Sequence, residues 1–265
     1  MPYAPVVPGS SAIIHACIKF PVVVVILGLA IALPSLGLLS EPVNCTDTMI
    51  TFTFDGGHQS TITKAYPILS KYGYTGTAFV PTDSINVFGH MSSGQLLVLQ
   101  NAGWEIGSNT VTYRDLTTLD DAELDNEVSE SKSFLERNGF NIWGIASPYG
   151  KYDQRVIDQI SSQYVYHRTS DSGLNDIPLG DPSYAYEIKA VRVTSGTSVQ
   201  EVKDWIIRAK QEGKWLVLIF YKIDEQGEDS WSSANLEEVV KFAKENDFVG
   251  LWRERLLLAS STFKR

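Results

Sequence analysis

The sequence predicts an α/β fold: an irregular (β/α) barrel of about seven strands, preceded by one N-terminal apolar helix. From Met49 onward, short apolar runs alternate with amphipathic stretches, and turn-forming residues separate them. Some runs, such as Trp215–Phe220, are apolar throughout, as is typical of strands buried on both faces. About seven or eight β/α units of this kind fit one domain more naturally than two.

Each predicted strand is a short run rich in β-branched and aromatic residues, and it stops at a turn-forming residue such as Gly56 or Pro81. In chain order the predicted strands are Met49–Phe54, Thr75–Val80, Trp104–Ser108, Asn141–Ala146, Tyr164–Arg168, Glu187–Val193 and Trp215–Phe220, with a further short one at Phe248–Leu251. The loop Thr169–Tyr186 is long for a connection, which is typical of a functional or lid-like segment.

The predicted helices have recognisable ends. Asp120 is a candidate N-cap with Glu123 at the capping-box position, and Gly73 and Gly213 are candidate helix ends. Within the helix that Asp120 opens, apolar and small residues three and four apart share one face. In chain order the helices cover about Ser60–Tyr72, Ser92–Asn101, Asp121–Asn138, Gln154–Gln163, Val199–Glu212 and Ser233–Glu245.

Composition limits the possible partners. The 265 residues include 43% hydrophobic and 11% aromatic side chains, which suffices for a sizeable core. The formal net charge is −9, and no Lys/Arg-rich block is present. We therefore expect no nucleic-acid partner, because phosphate binding needs a clustered basic face. The two cysteines, Cys17 and Cys45, give neither a disulfide framework nor a metal-ligand spacing.

The N-terminal region differs from the rest of the chain. We expect a disordered tip and an apolar segment within residues 1–45, and one folded domain over residues 46–265. Residues 18–39 carry no charge after Lys19 and just reach the roughly 20 residues of a membrane-spanning helix. They form either a signal peptide, favoured by Ser35-Leu36-Gly37 behind Pro34, or a membrane anchor, favoured by their length; a buried core helix is the third alternative. The first two both place the folded domain outside the cytoplasmic membrane, secreted or anchored.

The carboxyl ends of the predicted strands carry the candidate site. In a (β/α) barrel these ends converge on one face. They bring together Asp55-Gly56, Asn109-Thr110, Pro148-Tyr149 and Tyr221-Lys222. Aromatic faces stack on sugar rings, and carboxylate and carboxamide groups bind hydroxyls, so this set favours sugar binding. No His or second carboxylate stands at these ends, so the set by itself does not favour a metal.

Four segments, in the expected order and at matching spacing, resemble the polysaccharide deacetylase family, the NodB-homology domain of carbohydrate esterase family four. Thr53-Phe54-Asp55-Gly56-Gly57 resembles the family's Thr-Phe-Asp-Asp-Gly, and Gly103 to Leu116 resembles its Gly-x-Glu-Ile-Gly-Ser-His-Thr-x-x-His segment. Ala146 to Gly150 resembles its Pro-Tyr/Phe-Gly motif, and Leu216 to Tyr221 resembles the strand that normally ends in His. The resemblance spans about Thr48 to Leu258.

The resemblance implies an irregular barrel that hydrolyses N-acetyl, sometimes O-acetyl, groups of a glycan containing N-acetylhexosamine. In the family an Asp-His-His set holds a divalent metal, usually zinc, which activates water and polarises the acetyl carbonyl. An Asp acts as general base, a His acts as general acid, and a backbone N–H near the Pro-Tyr-Gly turn helps to stabilise the oxyanion.

This sequence departs from the family pattern at the reacting residues. Asp55 matches the base, but the acid position is Tyr221, and the metal positions are Gly56, Asn109 and Tyr113. We therefore expect no cofactor in this chain, and substrate contacts from Pro148, Tyr149, Gly150 and Asn109. His58 is a further candidate ligand for a substitute metal site. Two functions stay open: a polysaccharide deacetylase with impaired or unfamiliar catalysis, or a non-catalytic glycan-binding or scaffold protein at the cell surface.

Overall fold

The computed structural model describes residues 48–177 and 182–250. Within them, seven parallel strands form one sheet in the order β5-β4-β3-β2-β1-β7-β6, with β1 near its centre. A separate pair, β8 and β9, follows β7. The strands are β1 (Ile50–Asp55), β2 (Gly76–Val80), β3 (Glu105–Ser108), β4 (Gly144–Ala146), β5 (Tyr166–Arg168), β6 (Val191–Arg192), β7 (Leu216–Phe220), β8 (Lys222–Ile223) and β9 (Ser230–Trp231).

The sheet curls, and hydrogen bonds join the segments at its two edges. The Ile188 N–H donates to the His167 carbonyl at 3.2 Å, and the Thr169 N–H donates to the Ile188 carbonyl at 2.9 Å. Ile188 therefore bridges β5 just before β6 begins, while β6 pairs with β7. This arrangement confirms the predicted α/β barrel-like fold of about seven strands.

Side-chain alternation along the strands separates two apolar cores. Leu216, Leu218 and Phe220 of β7 belong to the core between sheet and helices. Val217 and Ile219, between them, pack with Phe79 and Tyr166 in the barrel interior. Because successive side chains of a strand point to opposite faces, the same alternation in β1 directs Asp55 inward with Thr53. The barrel interior thus ends in a carboxylate at its mouth.

The helices begin and end much as their sequence signals predict. Capping boxes pair Ser92 with Gln95, Asp120 with Glu123, and Ser198 with Glu201, and Gly213 ends its helix with φ of 62°. The helices are α1 (Tyr66–Lys71), which continues a π-helical turn at Thr61–Ala65, α2 (Ser93–Asn101), α3 (Asp121–Arg137), α4 (Gln154–Ser161), α5 (Val199–Glu212) and α6 (Ser233–Glu245).

Two predicted strands differ from the structure. The run Glu187–Val193 is interrupted, because the Asn175 side chain hydrogen-bonds both the N–H and the carbonyl of Lys189, and only Val191–Arg192 pairs as a strand. Of the predicted strand Phe248–Leu251, the structure describes residues 248–250, and these form a single bridge, between Val249 and Met49. The short strands β8 and β9 were not predicted, and the acidic run of residues 224–229 between them forms an exposed loop.

The predicted N-terminal helix over residues 18–39, and the rest of residues 1–45, lie outside the described residues. Among the helices at residues 48–177 and 182–250, none is long and apolar enough to cross a membrane. The signal peptide or anchor therefore stays a prediction, as does the domain boundary near residue 46.

Candidate functional site

The candidate site lies at the barrel mouth, where β1, β5 and β7 end. Asp55 ends β1, Arg168 ends β5, and Tyr221 follows β7. Tyr113 comes from the loop behind β3 and lies near enough for the Asp55 charge to act on its phenol. We call the group of Tyr113, Tyr149 and Tyr221 around Asp55 the tyrosine cleft.

A buried ion pair forms the floor of this cleft. An Arg168 guanidinium nitrogen lies 2.5 Å from Asp55 Oδ2, and the two side chains are only 1% and 3% exposed. Burial raises the pKa of Asp55, and the positive charge of Arg168 opposes that rise. The Arg168 guanidinium also lies over the Phe79 ring, 5.1 Å from its centroid. A fixed cation thus stands beside the carboxylate at the base position.

The position next to Asp55 has no room for a side chain. Gly56 has φ of +88°, a conformation that favours glycine, and a Cβ there would lie 2.7 Å from His58 Nε2. The His58 ring in turn stacks on His90, with 5.1 Å between ring centroids. Burial and the neighbouring His90 lower the pKa of His58 to about 4, so this imidazole is neutral near pH 7.

Asn109 is completely buried and bridges neighbouring backbone segments. Its carboxamide oxygen accepts a hydrogen bond from the Gly56 N–H at 3.2 Å, and its nitrogen donates to the Ala146 carbonyl at 2.9 Å. These bonds connect the carboxyl ends of β1, β3 and β4. The geometry therefore gives Asn109 a structural role, and its contact with substrate stays a prediction.

Tyr113 and Tyr149 meet edge to face at the cleft wall, with ring centroids 5.1 Å apart. Both residues adopt positive φ, 60° and 58°, which is rare for bulky residues and typical of functional sites. Burial is the largest cause of the raised pKa of Tyr113, and the charge of Asp55 is the second. The same two causes raise the pKa of Tyr221 to about 12. The phenols of Tyr113 and Tyr221 are therefore neutral hydrogen-bonding groups, and Tyr149 offers an exposed ring.

Glu127 on α3 fixes the loop that carries Tyr113. Its carboxylate accepts hydrogen bonds from the Val111 and Thr112 N–H groups, each at 2.9 Å, and from the Thr112 hydroxyl. Glu127 is 3% exposed. This carboxylate thus holds the loop in place through three hydrogen bonds. No local sequence pattern indicates this role of Glu127.

A second buried network lies behind the Pro-Tyr-Gly turn, formed by Pro148, Tyr149 and Gly150. The Ser147 hydroxyl donates to His167 Nε2 at 2.7 Å, and His167 Nδ1 donates to the Tyr186 carbonyl at 2.8 Å. Burial lowers the pKa of His167 to about 4, which keeps the ring neutral. These bonds join the turn after β4 to the long loop after β5.

Sequence reasoning missed two arginines of the cleft, Arg168 and Arg192. The Arg192 guanidinium lies over the Tyr221 ring at 5.6 Å and forms a 3.6 Å ion pair with Asp229. Arg168 could have been found, because it ends a predicted strand and shares the inward face with Tyr166 two residues before. Arg192 had no comparable signal, since it lies inside the predicted strand Glu187–Val193 and not at its end.

The residues at the family's metal positions do not fit a divalent cation. Gly56 offers no ligand atom, both ends of the Asn109 carboxamide are bonded to backbone, and Arg168 adds a positive charge. No three His, Cys, Asp or Glu side chains in the described parts of the chain converge to hold a metal ion. The His58 ring stacks on His90, and among the described residues this pair belongs to no group of three side chains that could hold a metal ion.

Comparisons with known proteins agree on one family. A family model described as polysaccharide deacetylase matches residues 43–167. YxkH of Bacillus subtilis, assigned by name to the polysaccharide deacetylases, is 26% identical over 163 residues, which are 61% of this chain and 57% of that protein. This chain thus spans little more than half of that relative's length.

Solved structures share the fold. A polysaccharide deacetylase from Bacillus cereus is 24% identical with a TM-score of 0.53, and the match covers 60% of this chain and 50% of that one. The Xyl-CE4 domain of a multidomain xylanase from the hindgut metagenome of Trinervitermes trinervoides is 19% identical with a TM-score of 0.58. That match covers 81% of this chain and 92% of the other.

Proposed function

We propose that this chain, whose residues 43–167 match the polysaccharide deacetylase family, binds a glycan containing N-acetylhexosamine in the tyrosine cleft and does not hydrolyse it by the family's metal-dependent reaction. The observation that carries the proposal is the buried Asp55–Arg168 ion pair at the cleft floor. This pair places the Arg168 guanidinium beside the Asp55 carboxylate, at the base position, where the family reaction needs a metal ion that carries a bound water.

The chemistry of the cleft supports sugar recognition. Tyr149 presents an exposed ring that can stack on a pyranose face, and Tyr113 crosses it edge to face. The neutral phenols of Tyr113 and Tyr221 can each donate one hydrogen bond and accept another. The ion pair beneath them carries no net charge. A neutral glycan fits these groups better than a strongly charged one.

The same residues argue against metal-dependent deacetylation. That reaction needs three ligands for the metal and a proton donor for the departing amine. Position 56 supplies no ligand atom, Asn109 is committed to backbone, and the Tyr221 phenol, with a pKa of about 12, is a poor acid near pH 7. We further propose that residues 18–39 act as a signal peptide or as a membrane anchor, so that the domain is secreted or held at the cell surface, where such glycans occur.

The test uses the full chain, purified in detergent, with the chitin tetramer tetra-N-acetylchitotetraose as the probe. Calorimetry should detect binding that persists in a chelator, and added zinc should yield no acetate release. Tyr149→Ala should weaken binding roughly tenfold, because a stacking ring is lost. Tyr72→Phe, which changes a tyrosine beside Glu237 outside the cleft, is the matched control.

Zinc-dependent release of acetate that disappears in Asp55→Asn would overturn the non-catalytic proposal and favour an active deacetylase. Absence of any binding to the tetramer, with a folded protein by circular dichroism, would overturn glycan recognition in this cleft.

A further inference from the structure

Two exposed aromatic side chains of the described residues, Phe88 and Tyr149, lie on the barrel face of the tyrosine cleft. Among the described residues, three aromatic side chains are strongly exposed: Phe88 at 101%, Tyr149 at 59% and Tyr184 at 54%. Phe88 lies in the loop after β2, Tyr149 in the turn after β4, and Tyr184 in the loop after β5. The Phe88 loop and the Tyr149 turn follow the carboxyl ends of β2 and β4, so both lie on the barrel face that carries the tyrosine cleft. The loop after β5 also reaches the other end of the sheet, where Asn175 pairs with Trp215 just before β7.

Backbone hydrogen bonds hold the Phe88 loop against the site. The Gln59 N–H donates to the Gly89 carbonyl at 2.9 Å, and the Met91 N–H donates to the Gly57 carbonyl at 2.8 Å. Within the loop, the His90 N–H donates to the Val87 carbonyl at 3.0 Å. A fully exposed phenylalanine is thus presented on a fixed loop that is tied to the residues just after Asp55.

The cleft and these rings form one surface. Tyr149 belongs to both, since it contacts Tyr113 and is itself exposed. In the sheet, β3 lies between β2 and β4, so these two strands are about 10 Å apart at the usual strand spacing. A surface of that width exceeds one sugar ring. Exposed apolar side chains grouped in this way mark interaction sites, unlike single ones scattered over a surface.

The charge near Phe88 favours a neutral partner. The segment from Thr82 to Ser93 contains no Lys or Arg, and Asp83 is its one acidic residue. An anionic membrane surface would be expected to attract basic residues flanking the ring, and the whole chain has a net charge of −9. Aromatic rings stack on sugar rings without any charge requirement.

We propose that Phe88 is a distal stacking site for a neutral β-linked glycan chain, so that the ligand is a polymer which extends from the tyrosine cleft over the Phe88 loop. This proposal rests on the proposed glycan-binding function. It adds that the ligand is several sugar units long and that Phe88 makes the affinity depend on that length. Tyr149 binds the chain centrally, and Phe88 contacts only units at a distance from it.

The experiment compares N-acetylglucosamine oligomers of two and six units by calorimetry on the full chain. Phe88→Ala should weaken hexamer binding about three- to tenfold and leave dimer binding unchanged within about twofold. Val98→Ala is the matched control, because Val98 is an exposed apolar residue on α2, 50% exposed. Both variants replace exposed side chains, so folding should be unaffected, and thermal melts check this.

Equal hexamer affinity of Phe88→Ala and wild type would overturn the proposal, and so would an equal loss for dimer and hexamer. Phe88-dependent cosedimentation with phosphatidylcholine–phosphatidylglycerol vesicles, or Phe88-dependent dimerisation in sedimentation velocity, would assign the ring to a membrane or to a second copy and would also overturn it. If wild type binds neither oligomer, the proposed function itself fails. If wild type binds both oligomers and Phe88→Ala changes neither, only the distal site fails.

Discussion

Asp55 and Arg168 form a buried ion pair across the barrel mouth, with 2.5 Å between carboxylate oxygen and guanidinium nitrogen. They end β1 and β5, which are separated by three strands in the sheet. The pair can form because both side chains point into the interior of the curled sheet. Asp55 Oδ1 and Arg168 Nε are buried without a hydrogen-bond partner among the described residues, so each side chain keeps one buried polar atom unpaired and depends strongly on the other.

Arg168→Met should destabilise the protein by about 3–5 kcal/mol, because it leaves a buried carboxylate without its counter-charge. Adding Asp55→Asn should recover a large part of that loss, since the remaining polar group is then neutral. Urea denaturation of the single and double variants measures both effects. Arg208→Met, which removes an exposed arginine of α5, is the control. A loss below about 1 kcal/mol for Arg168→Met would contradict a close buried pair.

Restoring the family's metal ligands should not by itself restore metal binding. The triple variant Gly56→Asp, Asn109→His and Tyr113→His should take up less than one zinc per chain. At position 56 the new side chain meets His58, and Arg168 repels the cation. Elemental analysis after dialysis against zinc measures the uptake.

Adding His58→Ala and Arg168→Met to the triple variant should raise zinc uptake, because the first change makes room and the second removes the repelling charge. Stoichiometric zinc in the triple variant alone would show that neither His58 nor Arg168 blocks the site. Circular dichroism of both variants separates loss of folding from loss of metal affinity.

Stability should fall as the pH is lowered from about 6.5 towards 4, in part through His167. The folded protein holds the His167 pKa at about 4, below the usual value of 6.5, because burial disfavours the charged ring. The unfolded chain therefore binds a proton more readily, and His167 contributes stability that is complete above about pH 6.5 and is lost towards pH 4. The loss is at most about 3 kcal/mol.

Two measurements test this pH dependence. The His167 ring signals in NMR should show no titration between pH 8 and 5. In urea denaturation, His167→Gln should have a shallower decline of stability with falling pH than wild type. The pKa of His58 is lowered in the same direction, so His58 contributes the same pH dependence to wild type and to His167→Gln. The difference between these two proteins therefore reports on His167. A His167 signal that titrates near pH 6.5 would contradict a buried neutral ring.

Glu127→Gln should lower both stability and ligand affinity. The carboxylate holds the Val111 and Thr112 N–H groups, and bonds of this charged kind each contribute about 1.5–3 kcal/mol. We expect a loss of about 1–3 kcal/mol in unfolding free energy. Ligand affinity should fall as well, because the loop positions Tyr113. Glu130→Gln, on the exposed side of the same helix, is the control.

For Glu127→Gln, denaturation and calorimetry with tetra-N-acetylchitotetraose give the two readouts. If stability falls while affinity stays at the wild-type value in the folded variant, Glu127 has no role in placing Tyr113.

The sequence alone determined the order of most strands and helices, since apolar periodicity, the capping box at Asp120 and glycine at helix ends are local signals. It also identified the strand ends that carry Asp55, Asn109, Tyr149 and Tyr221, because a (β/α) barrel places those ends together. The replaced residues at the metal positions could be read directly as well.

Only the tertiary structure decided what surrounds those residues. Arg168, 113 residues from Asp55 in the chain, becomes its partner because the curled sheet brings β1 and β5 together across the mouth. The His58 ring at the Gly56 turn, the Glu127 carboxylate under the Tyr113 loop and the position of Phe88 depend likewise on contacts between distant segments or on loop geometry. Local sequence patterns report backbone preference and burial, whereas pairing of charges and exposure of rings follow from packing, and packing is set by the whole fold.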